Sequence, residues 1–292
     1  MSQWLSTSPA TARLELSPEQ WSFLHSKRSK QENALQTLSN WLKIHRDATR
    51  SMQQAQSMFV DWARPYVIGV AGSVSVGKSR FSRELLTVLE QWDERPDIQL
   101  VTTDSFLCSL ETLREKGLVS RKGFPESYNR SMIFDFLQSV CLGRSYDVPI
   151  YCHRTYDVIA GHHRPVQGPD ILILEGLDVC QIDKSATENI QDYVDFSIYL
   201  DAPEDLIKSW YVERFIRLRA DALKDSESYF SRFRDLSMDQ AKAVALERWA
   251  QINSVNLREN ILPSRENADL IIEKAVDHSL VRFKLRDVSS QT

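Results

Sequence analysis

Short apolar runs alternate along the chain with longer segments in which apolar residues recur every three or four positions. Five runs have the length of β-strands, and they cover residues 66–71, 98–103, 171–174, 196–200 and 270–272. Helical spacing predicts helices after the first run and over about 204–219 and 238–260. Strands that alternate with helices predict an α/β fold, in which a mainly parallel sheet is flanked by helices on both faces.

The region before the first strand has a different pattern. Residues 1–16 are polar and uneven, and we expect a loose arm there. From about residue 17 to residue 62 apolar residues recur at helical spacing, which predicts a helical region that ends before Pro65. The residues that carry this spacing are Leu35, Leu38, Leu42, Met52, Ala55, Phe59 and Trp62. We therefore divide the chain into an N-terminal arm and helical region, 1–64, and a larger domain, 65–292.

The composition is typical of a globular protein with a sizeable core, because 42% of the 292 residues are hydrophobic and 26% are charged. With 36 basic and 40 acidic residues the formal net charge is −4, which gives no electrostatic reason to expect nucleic acid or an anionic membrane as partner. No apolar run approaches the ~20 residues that span a bilayer, and no secretory signal is visible. Four widely spaced cysteines disfavour a disulfide framework or a zinc site. We expect a cytoplasmic protein that binds neither membrane nor nucleic acid.

A glycine-rich motif follows the first predicted strand directly. It matches G-x-x-x-x-G-K-[ST] at every fixed position, and its residues are Gly72, Ser73, Val74, Ser75, Val76, Gly77, Lys78 and Ser79. With a strand before it and an amphipathic helix after it, the motif is typical of a phosphate-binding loop, and the alternative is an accidental glycine-rich turn. Backbone N–H groups and the helix N-terminus face the phosphates in such loops. Lys78 would reach the β- and γ-phosphates of a nucleotide, and the Ser79 hydroxyl would bind Mg²⁺.

The residues around the loop favour a kinase over a GTPase. The chain contains no D-x-x-G turn and no asparagine followed by lysine, which a GTPase needs. Two predicted strands end in acids, Asp104 and Glu175, and the carboxyl ends of parallel strands share one edge of a sheet. One carboxylate can deprotonate an acceptor hydroxyl, for which Asp104 is our candidate, while the other supports a metal ion. The alternatives are an N-cap or turn role for Asp104 and a turn role for Glu175.

Phosphoryl transfer also needs cations close to the group that is transferred. Arg214, Arg217 and Arg219 follow one another at helical spacing, and Tyr211 shares a helix face with Arg214. For each of these arginines, a solvated basic face near a helix C-terminus is the alternative interpretation.

The chain resembles the type I, bacterial-type pantothenate kinases, which form one group of P-loop kinases with uridine kinase and phosphoribulokinase. The resemblance covers about residues 65–284. Besides the phosphate loop, it rests on motifs within 102–104, 122–128, 151–158, 169–177, 194–206 and 256–265. Two stretches, 123–128 and 260–263, are not general features of P-loop kinases, so their presence makes the resemblance specific.

The resemblance implies that ATP phosphorylates the 4′-hydroxyl of pantothenate, the committed step towards coenzyme A. By this match Asp104 would be the base and Arg214 would contact the transferred phosphate. Arg83 matches an arginine that ATP and the feedback inhibitor coenzyme A both use. The residues expected to line the pantothenate site are Tyr151, His153, Tyr156, Tyr211 and Asn253. Without the resemblance we would interpret His153 as structural. The family is dimeric, so a homodimer is expected.

At six positions the chain departs from the pattern of the family. They are Ser75, Arg80, Ser105, Asp178, Leu218 and Leu223, where alanine, threonine, glycine, asparagine and two phenylalanines are expected in turn. Ser105 restricts the backbone beside Asp104, and Asp178 adds a negative charge near the phosphates. The two leucines change the rim of the acceptor pocket. Two alternatives stay open: a related kinase that acts on another small-molecule hydroxyl, and a non-catalytic paralogue that binds nucleotide or coenzyme A.

Overall fold

A computed structural model describes residues 13–17, 20, 30–56 and 64–286. Its main sheet is built from the strands β1 (Arg13–Leu16), β2 (Tyr66–Gly72), β3 (Ile98–Thr102), β6 (Ile171–Glu175), β7 (Phe196–Asp201), β8 (Leu270–Lys274) and β9 (Leu280–Arg286). These strands lie in the order β1-β9-β8-β7-β2-β6-β3. The remaining two, β4 (Tyr146–Cys152) and β5 (Asp157–Val166), form a separate antiparallel hairpin.

The centre of the sheet is parallel, as predicted. Strands β3, β6, β2, β7 and β8 pair in parallel, so their carboxyl ends meet at one edge, with Thr102 of β3 opposite Glu175 of β6. All five predicted strands form, each within two residues of its expected bounds. Strand β9 pairs antiparallel with β8 and with β1. The expectation of a loose arm over residues 1–16 is therefore wrong for Arg13–Leu16, because β9 offers these residues a backbone edge that local sequence does not reveal.

Six α-helices of six residues or more lie around this sheet within the described residues: α1 (Lys30–Gln56), α2 (Lys78–Leu89), α3 (Leu110–Glu115), α4 (Arg130–Cys141), α5 (Glu204–Ala222) and α6 (Met238–Arg248). Wider helical turns continue from the end of α6 to Ile261, so the helix predicted over 238–260 is confirmed. The predicted N-terminal helix is confirmed over α1. Two residues of its pattern, Phe59 and Trp62, lie outside the described residues.

The N-terminal helix packs onto the body of the fold through its apolar stripe. Leu38 and Leu42 of α1 are fully buried, and the Trp41 ring lies 4.5 Å from the ring of Phe196 on β7. Helix α2 in turn packs against β2, β3 and β6. Each Å² of apolar surface that is buried contributes about 25 cal/mol, and this burial holds the helices against the sheet.

A second, smaller hydrophobic cluster lies beside the main core. Its fully buried members come from α5, from α6 and from the turns between them, and they are Phe215, Ala222, Phe230, Phe233, Ala241 and Ala245. Tyr156, at the tip of the β4–β5 hairpin, packs against this cluster. Neither the hairpin nor the cluster was predicted from the sequence, and together they build the wall that faces the carboxyl edge of the sheet.

The described residues contain no helix that is both long and apolar enough to cross a membrane. The four cysteines are all free thiols, as expected from their spacing.

Candidate active site

The glycine-rich motif forms a loop between the end of β2 and the start of α2. Gly72 ends the strand, and a Cβ atom there would lie 2.5 Å from the carbonyl oxygen of Leu200 on β7. Gly77 caps α2 with φ 97°, a left-handed conformation that favours glycine. Ser75 also adopts a positive φ of 63°. Such backbone strain at a non-glycine residue is frequent where a loop is shaped for a ligand.

Lys78 lies under this loop, buried to 9% exposure, and its Nζ donates a hydrogen bond to the carbonyl oxygen of Ser73 at 3.0 Å. Burial lowers the pKa of Lys78, while the nearby carboxylates of Glu175 and Asp104 raise it. Within the described residues, the buried hydroxyls of Ser73 and Ser75 have no hydrogen-bond partner. Buried polar atoms without partners, beside a buried ammonium group, fit the oxygen atoms of a phosphate.

The two acids predicted at strand ends lie at neighbouring strands, as the parallel pairing of β3 and β6 requires. Glu175 is the last residue of β6, where it pairs with Thr102 of β3. Asp104 lies two residues after Thr102, on a short 3₁₀ turn. The Ser79 hydroxyl donates a hydrogen bond to Glu175 Oε1 at 3.1 Å. Burial raises the pKa of Glu175, and the ammonium group of Lys78 lowers it.

The described residues contain no group of three or more acids, histidines or cysteines that could hold a metal ion by themselves. Ser79 and Glu175 nevertheless present two oxygen ligands side by side. This donor set fits Mg²⁺, which usually keeps several waters and takes its other ligands from the phosphates of a substrate.

An aromatic wall at the tip of the β4–β5 hairpin lies within electrostatic range of Asp104. The ring of Tyr151 lies 5.1 Å from that of His153 and 6.3 Å from that of Tyr156. Burial lowers the pKa of His153, the carboxylate of Asp104 raises it, and the guanidinium of Arg214 lowers it. The structure therefore brings His153 and both tyrosines to the same side of the site as Asp104.

Helix α5 and the turns after α6 complete this wall. Tyr211 lies beside Trp249, with ring centroids 5.7 Å apart. Burial raises the pKa of Tyr211, and a hydrogen bond with the side chain of Asn253 lowers it. Arg214, one turn further along α5, acts electrostatically on Lys78 and on His153. Tyr211, Asn253 and Arg214 thus lie close to one another, and Arg214 also acts electrostatically on Lys78 of the loop.

The three arginines of α5 have different environments. Arg214 faces Lys78, whereas Arg217 is exposed. Arg219 is buried and donates to the backbone carbonyl of Phe233 at 2.9 Å and to two further carbonyls of the following turn. Arg219 therefore holds the turn after α5 against the helix.

Comparison with known proteins agrees with this geometry. The family model described as "Phosphoribulokinase / Uridine kinase family" matches residues 67–239. A pantothenate kinase from Shewanella sp. strain ANA-3 is 48% identical over 76% of this chain and 72% of its own length. One from Xanthobacter autotrophicus is 42% identical over 90% of this chain and 86% of its own. The chain belongs to the pantothenate kinase family.

Structural comparison shows the kinase fold independently of this sequence identity. A solved kinase from Silicibacter sp. TM1040, named for a fructose transport system, superposes with a TM-score of 0.62 at 20% identity. The match covers 81% of this chain and 98% of that one. The predicted α/β P-loop kinase fold is therefore confirmed.

One residue of the site was missed by sequence reasoning. The ammonium group of Lys122 lies 5.0 Å from the ring centroid of Tyr151 and 4.5 Å from that of Tyr156, and it donates to the backbone carbonyl of Tyr156. Burial lowers the pKa of Lys122 to about 8, although the carboxylates of Asp157 and Asp104 raise it. Its motif, 122–128, was recognised, but no spacing rule connects this lysine with tyrosines about thirty residues away.

The departures from the family pattern have different structural consequences. Ser105 is buried on the 3₁₀ turn after β3 and does not have a positive φ, so its side chain adds no backbone strain beside Asp104. Leu218 packs against the second hydrophobic cluster. Leu223 is 59% exposed at the end of α5. Asp178 is buried to 4% exposure and lies close enough to Asp104 for the two carboxyl groups to interact electrostatically.

Proposed function

We propose that the chain transfers the γ-phosphoryl group of ATP to the 4′-hydroxyl of pantothenate and forms 4′-phosphopantothenate, the first step of coenzyme A biosynthesis. The observation that supports this most directly is the convergence of Lys78, Asp104, Glu175 and Arg214 at one edge of the sheet. The pantothenate kinases of Shewanella and Xanthobacter support the choice of acceptor.

The phosphate loop would bind the nucleotide through the backbone N–H groups of residues 72–79 and through the Lys78 ammonium group. The hydroxyls of Ser73 and Ser75, which have no partner in the described structure, would donate hydrogen bonds to phosphate oxygens. Arg83 acts electrostatically on Glu175 and His153, which supports the proposal that its guanidinium contacts the same phosphates.

Ser79 and Glu175 would hold Mg²⁺ with the phosphates, since their oxygen atoms already lie within hydrogen-bond distance of each other. When bound, Mg²⁺ would supply positive charge that offsets the negative charge developing on the phosphates. Burial raises the pKa of Glu175, and the Lys78 ammonium group and the hydrogen bond from Ser79 oppose this shift.

Asp104 would accept the proton of the acceptor hydroxyl as the new bond between the 4′-oxygen and the γ-phosphorus forms and the bond to the β-phosphate oxygen breaks. Arg214 and Lys78 would stabilise the negative charge on the transferred group. Pantothenate carries a carboxylate, an amide and hydroxyls, which need hydrogen-bond donors. The aromatic wall offers them from Tyr151, His153, Tyr156, Tyr211 and Asn253, with Lys122 beside it.

Three further parts of the proposal rest on the family resemblance. We expect coenzyme A to inhibit the enzyme by competing with ATP through Arg83, the chain to form a homodimer, and the reaction to take place in the cytoplasm. Inhibition kinetics against ATP and analytical ultracentrifugation at micromolar concentration test the first two directly.

The decisive experiment is a coupled ADP-release assay with ATP, Mg²⁺ and pantothenate. Lys78→Met removes the cation at the phosphates, and we expect at least about 100-fold lower turnover. Asp104→Asn removes the base, so kcat should fall about 10²–10⁴-fold while ATP binding changes little. An Asp104→Asn variant that turns over at the normal rate would exclude the proposed base.

Matched surface variants control for non-specific damage. Lys116 is exposed on the segment after α3, and the Asp235 side chain is 91% exposed, so Lys116→Met and Asp235→Asn should keep full activity. Wild-type protein that binds ATP tightly without pantothenate-dependent turnover would favour a different acceptor, which a panel of small-molecule hydroxyl compounds would reveal. Binding without turnover on any acceptor would favour the non-catalytic paralogue.

A further inference from the structure

Asp178 connects the ends of the two strands that carry the acids. It follows Glu175 by three residues, and its Oδ1 accepts a hydrogen bond of 2.8 Å from the hydroxyl of Thr103. Thr103 is fully buried and directly precedes Asp104. The bond therefore runs from the loop after β6 to the turn after β3, and it ends one residue from the proposed base.

The packing around this hydrogen bond leaves little room for movement. A Cβ atom on Gly176 would lie 2.1 Å from the Thr103 hydroxyl oxygen and 2.8 Å from Asp178 Oδ1, so only glycine fits between them. Asp178 itself is buried to 4% exposure. A buried hydrogen bond in a packed environment of this kind holds both of its partners in one orientation.

The charged and titratable groups that face Asp178 come from four elements. They are Lys78 on α2, Asp104 on the turn after β3, Tyr128 before α4 and Arg130 at the start of α4. Burial raises the pKa of Asp178 to about 6, and the hydrogen bond from Thr103 opposes this shift. Burial also raises the pKa of Tyr128, and the Asp178 carboxylate raises it further.

We propose that Asp178 is a positioning residue for phosphoryl transfer, whose carboxylate holds the Thr103 hydroxyl and so fixes Asp104 relative to Glu175 and Lys78. The proposal rests on the proposed role of Asp104 as base. Asparagine, which the family pattern places here, offers the same acceptor oxygen without a charge. A hydrogen bond to an ionised carboxylate is roughly twice as strong as a neutral one, so this chain holds the turn more firmly, and in a way that depends on pH.

The test compares kcat for wild type and Asp178→Asn across the range from about pH 5 to pH 8. We expect wild type to be about three- to tenfold faster at pH 8, because only its carboxylate makes the charge-assisted bond. As the pH falls through about 6, Asp178 gains a proton and the ratio should approach one. The KM for ATP should be the same in both proteins.

Variants of Thr103 show whether Asp178 acts through this hydroxyl. Thr103→Val should lower kcat about as much as Asp178→Asn does, and the double variant should be no slower than either alone. Thr103→Ser keeps the hydroxyl and should restore the wild-type pH profile. A ratio that stays constant with pH, or effects that add in the double variant, would overturn the proposal.

Failure of this inference can be distinguished from failure of the proposed function. Wild-type protein without pantothenate-dependent turnover would contradict the function, and positioning would then be judged from crystal structures of wild type and Asp178→Asn. A displaced Asp104 side chain in the variant supports the inference, and an unchanged one overturns it. If wild type is active and Asp104→Asn is not, the inference is judged from how the ratio of kcat between wild type and Asp178→Asn changes with pH.

Discussion

Burial sets the chemistry of single side chains around the phosphate loop. Lys78 and Glu175 are both buried. Burial lowers the pKa of Lys78 and Glu175 raises it, while burial raises the pKa of Glu175 and Lys78 lowers it. Neither charge would be stable in this position alone, since an unpaired buried charge costs several kcal/mol. Two opposite charges next to partnerless hydroxyls form a site that is preorganised for a phosphate before any ligand binds.

The lowered pKa of Lys122 predicts that the binding of pantothenate depends on pH. Its pKa of about 8 means that the ammonium group loses its charge as the pH rises through 8, and with it the attraction to the Tyr151 and Tyr156 rings. We therefore expect the KM for pantothenate, which carries a carboxylate, to rise above pH 8 in wild type. Steady-state kinetics between about pH 7 and pH 9.5 would measure this.

Lys122→Arg is the matched variant for this experiment, because arginine keeps its charge throughout the range. Its KM for pantothenate should be independent of pH, whatever its absolute value. If the KM of both proteins rises equally above pH 8, another group is responsible for the change.

At the level of elements, the position of the aromatic wall depends on how α5 is joined to α6. Arg219 of α5 donates to the carbonyl oxygens of Phe233, Arg234 and Leu236, and these bonds close the turns between the two helices onto the second hydrophobic cluster. Tyr211 and Arg214 are on the same helix, so this closure also sets the position of one side of the active site.

Arg219→Leu should therefore destabilise the protein by about 2–4 kcal/mol, because it leaves one buried and two partly buried carbonyl groups without this donor. Arg217→Leu, two positions earlier on the exposed face of α5, should change the free energy of unfolding by less than about 0.5 kcal/mol. Urea unfolding followed by circular dichroism measures both values. Equal effects of the two substitutions would show that the carbonyl contacts of Arg219 contribute nothing.

At the scale of the whole molecule, the parallel sheet brings remote segments to one edge. The phosphate loop follows β2, Asp104 follows β3, Glu175 ends β6, and Arg214 lies on the helix that follows β7. A ligand that contacts all of these segments connects most of the main sheet, so its binding should stabilise the fold as a unit.

ATP with Mg²⁺ at about 100 times its dissociation constant should stabilise the folded state by about 2.7 kcal/mol, which corresponds to a rise in Tm of about 5–10 °C. AMP lacks the β- and γ-phosphates that Lys78 would bind, and it should raise Tm much less. Lys78→Met should lose most of the shift with ATP. Differential scanning fluorimetry would measure all three, and an equal shift with AMP would contradict a site centred on the phosphate loop.

The strands, the helices and the phosphate loop could be predicted because their signals are local. A strand, a G-x-x-x-x-G-K-S loop and an amphipathic helix are contiguous in residues 66–92, so their spacing alone specifies how they are arranged. The acids at strand ends were predictable for a related reason, since parallel strands all present their carboxyl ends at one edge.

Contacts between distant segments could not be predicted in the same way. The pairing of Arg13–Leu16 with β9, the position of Lys122 over two tyrosines and the bond between Thr103 and Asp178 each join elements far apart in the chain. Only the packed order of the strands decides which of these residues meet. The phosphate loop is thus encoded locally in the chain, whereas the aromatic wall and the placement of the turn that carries Asp104 arise from long-range packing.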